Sequence, residues 1–142
     1  MRDFSFNDIR ASSKGMTVES IDIGYPAVKT SEIPVPYRDS VIDAYDLNGM
    51  KVYEDRTITV KMRKKCSDRA EVERTKHDIA DWLYPPAARK KFIDSAMPDY
   101  YFLAKISSFD ASASTRKACI ITVTFKADPY MYSSKEGVKN TI

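Results

Sequence analysis

The chain has few of the residues that usually mark a chemical site. Cysteine occurs only as Cys66 and Cys119, far from the dense spacing with which small secreted domains replace a core, so two reduced thiols are expected. The four glycines never fall into GxGxxG or GxxxxGK spacing, which excludes a phosphate-cradling loop and with it nucleotide binding. His77 is the only histidine, so a metal or acid–base site would need partners converging from elsewhere. No apolar run approaches the roughly 18 residues of a membrane span. The opening MRDFSFNDIR has no apolar stretch behind its first basic residue, so no secretory signal is expected and synthesis should occur in the cytoplasm of the producing cell. Charge of one sign is also missing: 23 Lys and Arg against 20 Asp and Glu leave +3, too little for a dedicated nucleic-acid or membrane surface. No catalytic group, cofactor or metal is expected.

What is present is foldable. At 142 residues and 43% hydrophobic, the chain has the size of one domain, able to bury about two thirds of its unfolded surface. Phe4 and Phe6 alternate with polar neighbours as in a short half-buried strand, and Asn7-Asp8 favours a turn after it. Lys14-Gly15 leads into MTVESIDI, a second strand-like run broken by Gly24 and Pro26. In SEIPVPYRDSVIDAYD, Pro34 and Pro36 fix extended backbone and remove donors that a central strand needs, so this segment reads as a long arm or an edge. Asn48-Gly49 reads as a hairpin turn before VYEDRTITVKM, where Ile58, Val60 and Met62 alternate with Thr57, Thr59 and Lys61.

After Ser67 the period changes. Val72, Ile79, Trp82 and Leu83 share one helical face, Asp68 can cap, Glu71 follows as in a capping box, and Pro85-Pro86 ends the helix. KKFID, YYFLAKISSF and KACIITVTFKA read as three more strands, the last with Cys119, Ile121, Val123 and Phe125 on one apolar face. Six or seven strands with one helix predict a mainly β (α+β) fold, an antiparallel β-sandwich or open barrel with the helix packed on it. Residues 1–132 would form the domain, and the polar 133–142 a tail or the start of a linker.

The remaining chemical candidates have plain readings. His77 lies off the apolar stripe and reads as solvated. Cys66 follows Arg63, Lys64 and Lys65, which could activate a thiol, yet no base accompanies it; Cys119 reads as core. The carboxylate pairs Asp43 with Asp46 and Asp94 with Asp99 fall in turn-like text, where Asp bonds nearby amides, so nothing specific supports a glycosidase. Two basic runs, Lys61 with Arg63 to Lys65 and Arg89 to Lys91, read as solvated turns. Stacked with tyrosines they could instead track a phosphate backbone, which makes a nucleic-acid-binding small β-barrel the alternative function. Exposed tyrosines stacking on sugars would be a third reading.

Several motifs in order resemble the distal tail (Dit) family of phage tail proteins. FSFNDIRASSKGMTVESI resembles their opening, IPVPYRDSVIDAYD their arm, and YEDRTITVKM their Y-x-x-R strand; DWLYPPAARKKFIDSAMPDYYFLAKI and the closing TVTFKADPYMY resemble their later stretches, so the similarity runs from residue 4 to 132. Tyr37, Ser40 and Asp8 stand where that pattern commonly has Gly, so the turns there must take another geometry. The resemblance implies a β-sandwich that assembles as a homo-oligomeric, hexameric ring at the virion tail tip, joining the tail-tube protein to the tail hub or baseplate. Another tail ring (tube, terminator or connector) would reuse the same architecture. A head-to-tail ring needs two complementary faces, and a proline-stiffened arm loses little entropy when it orders on a neighbour. The expected subunit or partner contacts are therefore Pro34, Pro36, Tyr37 and Arg38 of the arm, Arg56, and Pro129 with Tyr130 at the domain end. A rigid loop packed on its own domain is the other reading of the arm. Arg56 is expected to pair with a carboxylate, across strands or across a subunit seam.

Overall fold

The computed structural model describes residues 2–28, 53–133 and 141–142, together with the backbone of 32–34 and 41–43. The chain opens with strands β1 (Phe4–Phe6) and β2 (Ile9–Arg10), then a 3₁₀ turn (Ser12–Lys14) and β3 (Thr17–Ile23). Two short strands follow, β4 (Glu32–Pro34) and β5 (Val41–Asp43), then β6 (Arg56–Lys65), helix α1 (Arg69–Leu83), β7 (Lys90–Asp94), β8 (Tyr100–Asp110), β9 (Ala118–Ala127) and β10 (Tyr132–Ser133).

Every strand pairing is antiparallel, and one open sheet runs β2-β1-β7-β8-β9-β6-β3, with β10 attached to β8. Its terminal strands β2 and β3 are not paired to each other, so it is an open sheet and not a closed barrel. Among the described residues β4 and β5 pair only with each other, as a two-stranded ribbon.

The first hairpin turns through two residues, because Phe6 is directly opposite Ile9. Asn7 and Asp8 both have positive φ, 53° and 67°, the requirement of the turn whose twist matches the flanking strands. Alternation then divides each strand between two faces. Ile58, Val60 and Met62 of β6 face inward beside Phe125, Val123 and Ile121 of β9, and all six are fully buried. Phe4 stacks on Trp82 and Phe92 at 5.6 and 5.0 Å between ring centres, and Phe125 meets Phe6 and Phe92. This aromatic centre joins the early hairpin to the late strands.

The helix closes the inner face. Asp68 Oδ1 accepts from the Glu71 amide at 2.8 Å, as the capping pattern predicts. The Glu71 carboxylate reaches past Asp68 to accept from Ser67, from its amide at 2.8 Å and its hydroxyl at 2.6 Å. Thr75 completes the apolar stripe of Val72, Ile79, Trp82 and Leu83; it is buried because its hydroxyl donates to Glu71 O within the helix. Trp82 Nε1 donates to Phe6 O at 3.1 Å, tying α1 to β1.

Three expectations change. β6 begins at Arg56 and runs on through the basic run to Lys65, because β9 continues to pair with it as far as Ala118; those cations stand on a strand, not in a turn. The arm holds two three-residue strands, with Pro34 opposite Val41. Thr141, expected in a frayed tail, forms an antiparallel bridge with Met131. The Asn48-Gly49 turn lies outside the described residues.

Candidate assembly site

Two segments singled out in the sequence, YEDR and DPY, meet in space at the root of the arm. Val28 and Tyr53 form an antiparallel bridge, and the Glu54 amide donates to Ala27 O at 2.7 Å, so the two ends of the 29–52 segment are held side by side. Tyr130 packs edge-on against Tyr53, ring centres 6.0 Å apart. Beneath them Arg56 is only 2% exposed; its Nη2 donates to Pro129 O at 2.5 Å and its guanidinium lies 5.1 Å from the centre of the Phe102 ring. Nε finds no partner among the described residues, and burial holds the guanidinium pKa below its ordinary value.

Among the described residues Arg56 thus takes a carbonyl and a ring and no carboxylate. The carboxylates go to Arg89, which forks onto Asp55 at 2.6 and 3.1 Å and also reaches Asp128. Its bond to Asp55 leads in raising the Arg89 pKa. Tyr132 donates to Asp128 Oδ2 at 2.9 Å and stacks on Tyr101, and burial first, then Asp128, pushes its pKa up. Arg89 was expected in a solvated basic turn; it instead bridges the loop before β6 to the turn after β9. Only its neighbours in the folded sheet reveal this, since Asp55 and Asp128 lie 34 and 39 residues away.

The second feature is the seam between the two ends of the sheet. The Gly24 amide donates to Thr57 O, and Ile23 is opposite Ile58. With antiparallel alternation, the N–H and C=O of Ile21 and Ile23 point away from β6, toward an edge with no strand on it among the described residues. At the start of that edge lies a groove of about 560 Å³ lined by Phe4, Arg10, Met16, Val18, Ile93 and Pro98 among others. Asp3 on its rim accepts from Ser12 and from the Phe4 amide. Exposed Arg10 has no carboxylate partner among the described residues.

The outer face of the sheet carries the cations. Lys105 of β8 and Lys126 of β9 stand directly opposite each other, both exposed, and Lys91 lies over the Tyr101 ring at 4.8 Å. Lys61 and Arg63 share Glu19. This is a dispersed charge pattern rather than a continuous basic track.

The anticipated contact residues thus fall into two groups. Arg56, Pro129 and Tyr130 come together at the arm root. Pro34 stands in β4, and Pro36, Tyr37 and Arg38 lie outside the described residues. His77 is exposed on α1, and both cysteines are buried, with burial raising the Cys119 thiol pKa. Asp94 is not a free member of an acid pair: it is buried, bonded to Arg2 at 2.7 Å and to the Ala96 amide. No group of three or more His, Cys, Asp or Glu that could hold a metal exists among the described residues, and no described helix is long and apolar enough to cross a membrane.

Comparison with solved structures finds the same fold in the Dit protein of phage SPP1, whose structure is described as a paradigm of the hub adsorption apparatus in phages infecting Gram-positive hosts. The TM-score is 0.74 at 10% identity over 94% of this chain. The chain spans about half of that protein, 52% of its length. The tail of an empty GTA particle of C6 symmetry also aligns, at TM-score 0.44 and 14% identity over 85% of this chain and 84% of that one, too distant to bear on the reading. Comparison with curated proteins gives no match. The family described as phage tail protein RIFT-related domain matches residues 6–127, from the first hairpin to the end of β9, and the chain belongs to that family.

Proposed function

We propose that this chain is the ring-forming domain of a distal tail protein, a non-enzymatic component that joins the tail tube to the tail hub at the virion tail tip. The observation that carries the reading is the family match over residues 6–127, supported by the fold shared with SPP1 Dit. The ring is homo-oligomeric, with six copies as the expected number, and the tube and hub proteins are its axial partners. The arm, rooted by Tyr53, Arg56, Pro129 and Tyr130, reaches a neighbouring subunit through Pro34, Pro36, Tyr37 and Arg38. A β4–β5 ribbon of three residues per strand supports this, because an isolated two-stranded hairpin is at best marginally stable in water and gains most from a surface to lie on.

Mass measurement across a concentration series tests it. A closed species of six subunits, visible as a ring by electron microscopy, is the expected result. A monomer at all concentrations that binds duplex DNA tightly in physiological salt would instead favour the nucleic-acid reading.

A further inference from the structure

We infer that the seam beside β3 is the acceptor for the β4–β5 ribbon of a second copy of this chain, which adds to the β3 edge that no described strand covers, with its acidic end at Arg10. This inference rests on the ring reading and says where the ring closes.

Three observations point to this occupant. First, β3 is seven residues long and has no proline, and it turns the N–H and C=O of Ile21 and Ile23 off the sheet; an edge of this kind is a template for another strand unless it is covered. A register shift between Val18 and Ser20 blunts its first part and leaves the Ile21–Ile23 part regular. Second, the chain supplies a ribbon that is joined, among the described residues, to no strand of the main sheet and is short enough for such an edge. Third, Glu32 and Asp43 occupy directly opposed register positions, which puts two carboxylate residues at one end of that ribbon. Arg10 on the groove rim is a cation without a carboxylate partner among the described residues, and next to it Asp3 already serves Ser12 and the Phe4 amide. Donor and acceptor thus complement one another in charge and in backbone bonding. Because the ribbon and the edge are different surfaces of one chain, the contact is head-to-tail and can close a ring.

The test separates edge from fold. Because the Ile23 side chain packs against the core, Ile23→Ala serves as the reference; Ile23→Pro removes in addition an amide that faces the edge, so the full chain should stay folded with a melting temperature like that of Ile23→Ala. Its half-assembly concentration should rise about tenfold or more, since each backbone bond lost contributes of order a factor of ten. Asp22→Pro removes the neighbouring amide, which bonds inward to β6, and should lower the melting temperature of the subunit itself. Arg10→Glu should weaken assembly similarly, and combining it with Glu32→Lys and Asp43→Lys should restore it. A wild-type ring that persists unchanged in Ile23→Pro and Arg10→Glu overturns the seam while leaving the ring reading intact. A melting temperature of dilute, monomeric Ile23→Pro well below that of Ile23→Ala also overturns it, because the edge is then covered by its own chain. A wild-type chain that never assembles removes the ring reading and this contact together.

Discussion

At residue scale, the first turn rests on two side chains that tolerate a left-handed backbone. Asn7 and Asp8 sit at φ 53° and 67°, and a β-branched residue at either position would be strained. Asp8→Val is expected to lower stability by about 1–2 kcal/mol, the cost of a left-handed L-residue, while Asp8→Gly should be neutral or slightly stabilising; thermal melts of both variants check this. Phe4 is different in kind. Stacked between Trp82 and Phe92 and 1% exposed, it leaves a cavity when removed, so Phe4→Ala should destabilise by about 3–5 kcal/mol in chemical unfolding. The paired Phe4-x-Phe6 alternation was legible from sequence because it depends on period alone. The burial of Arg56 was not: an Arg at the start of a strand reads as surface, and only the Pro129 carbonyl and the Phe102 ring, both distant in sequence, make its burial tolerable.

At element scale, α1 shows what local signals can specify. Its cap, its stripe and its proline stop were all readable, since each depends on residues within a turn or two. The cap predicts that Asp68→Ala loses about 1 kcal/mol. Glu71 adds a pH dependence: its bonds from the Ser67 hydroxyl and amide hold its pKa below the usual carboxylate range. A depressed carboxylate stabilises the fold above its unfolded value and loses that contribution as pH falls through the folded one, so the effect disappears in acid. Glu71→Gln should flatten the acid limb of the stability profile, measured by denaturant midpoints between neutral and acid pH. On the sheet, Lys105 and Lys126 face each other across β8 and β9. Lys126→Glu converts a like pair to an opposite one and should raise stability by about 0.2–1 kcal/mol, read as a higher denaturant midpoint in low salt. Strand lengths were less legible than strand identities. β6 extends through Arg63–Lys65 because a partner strand is present, and two-residue strands such as β2 and β10 carry no periodic signal of their own.

At the scale of the whole molecule, the described residues leave both a β3 edge with no strand on it and a ribbon paired to no other strand, and neither is visible in composition. The sequence pattern identified the arm as an unusual segment; what it could not supply was the sheet order, in which β3 becomes a terminal strand. Stability should not depend on metal, so chelator is expected to leave the melting temperature unchanged, and a drop of several degrees would contradict the proposed function.

The lone tryptophan has a practical consequence for all of these experiments. Trp82 is 5% exposed, stacked on Phe4 and bonded through its indole to Phe6 O, at the joint between the first hairpin and the helix. Neither Ile21 to Ile23 nor the arm root is among the ring and hydrogen-bond partners of Trp82, so separation of subunits should leave its fluorescence emission maximum in place. Unfolding would expose the indole and shift the emission to the red. One optical signal therefore distinguishes a dispersed ring from a melted subunit, in the same cuvette and without a label.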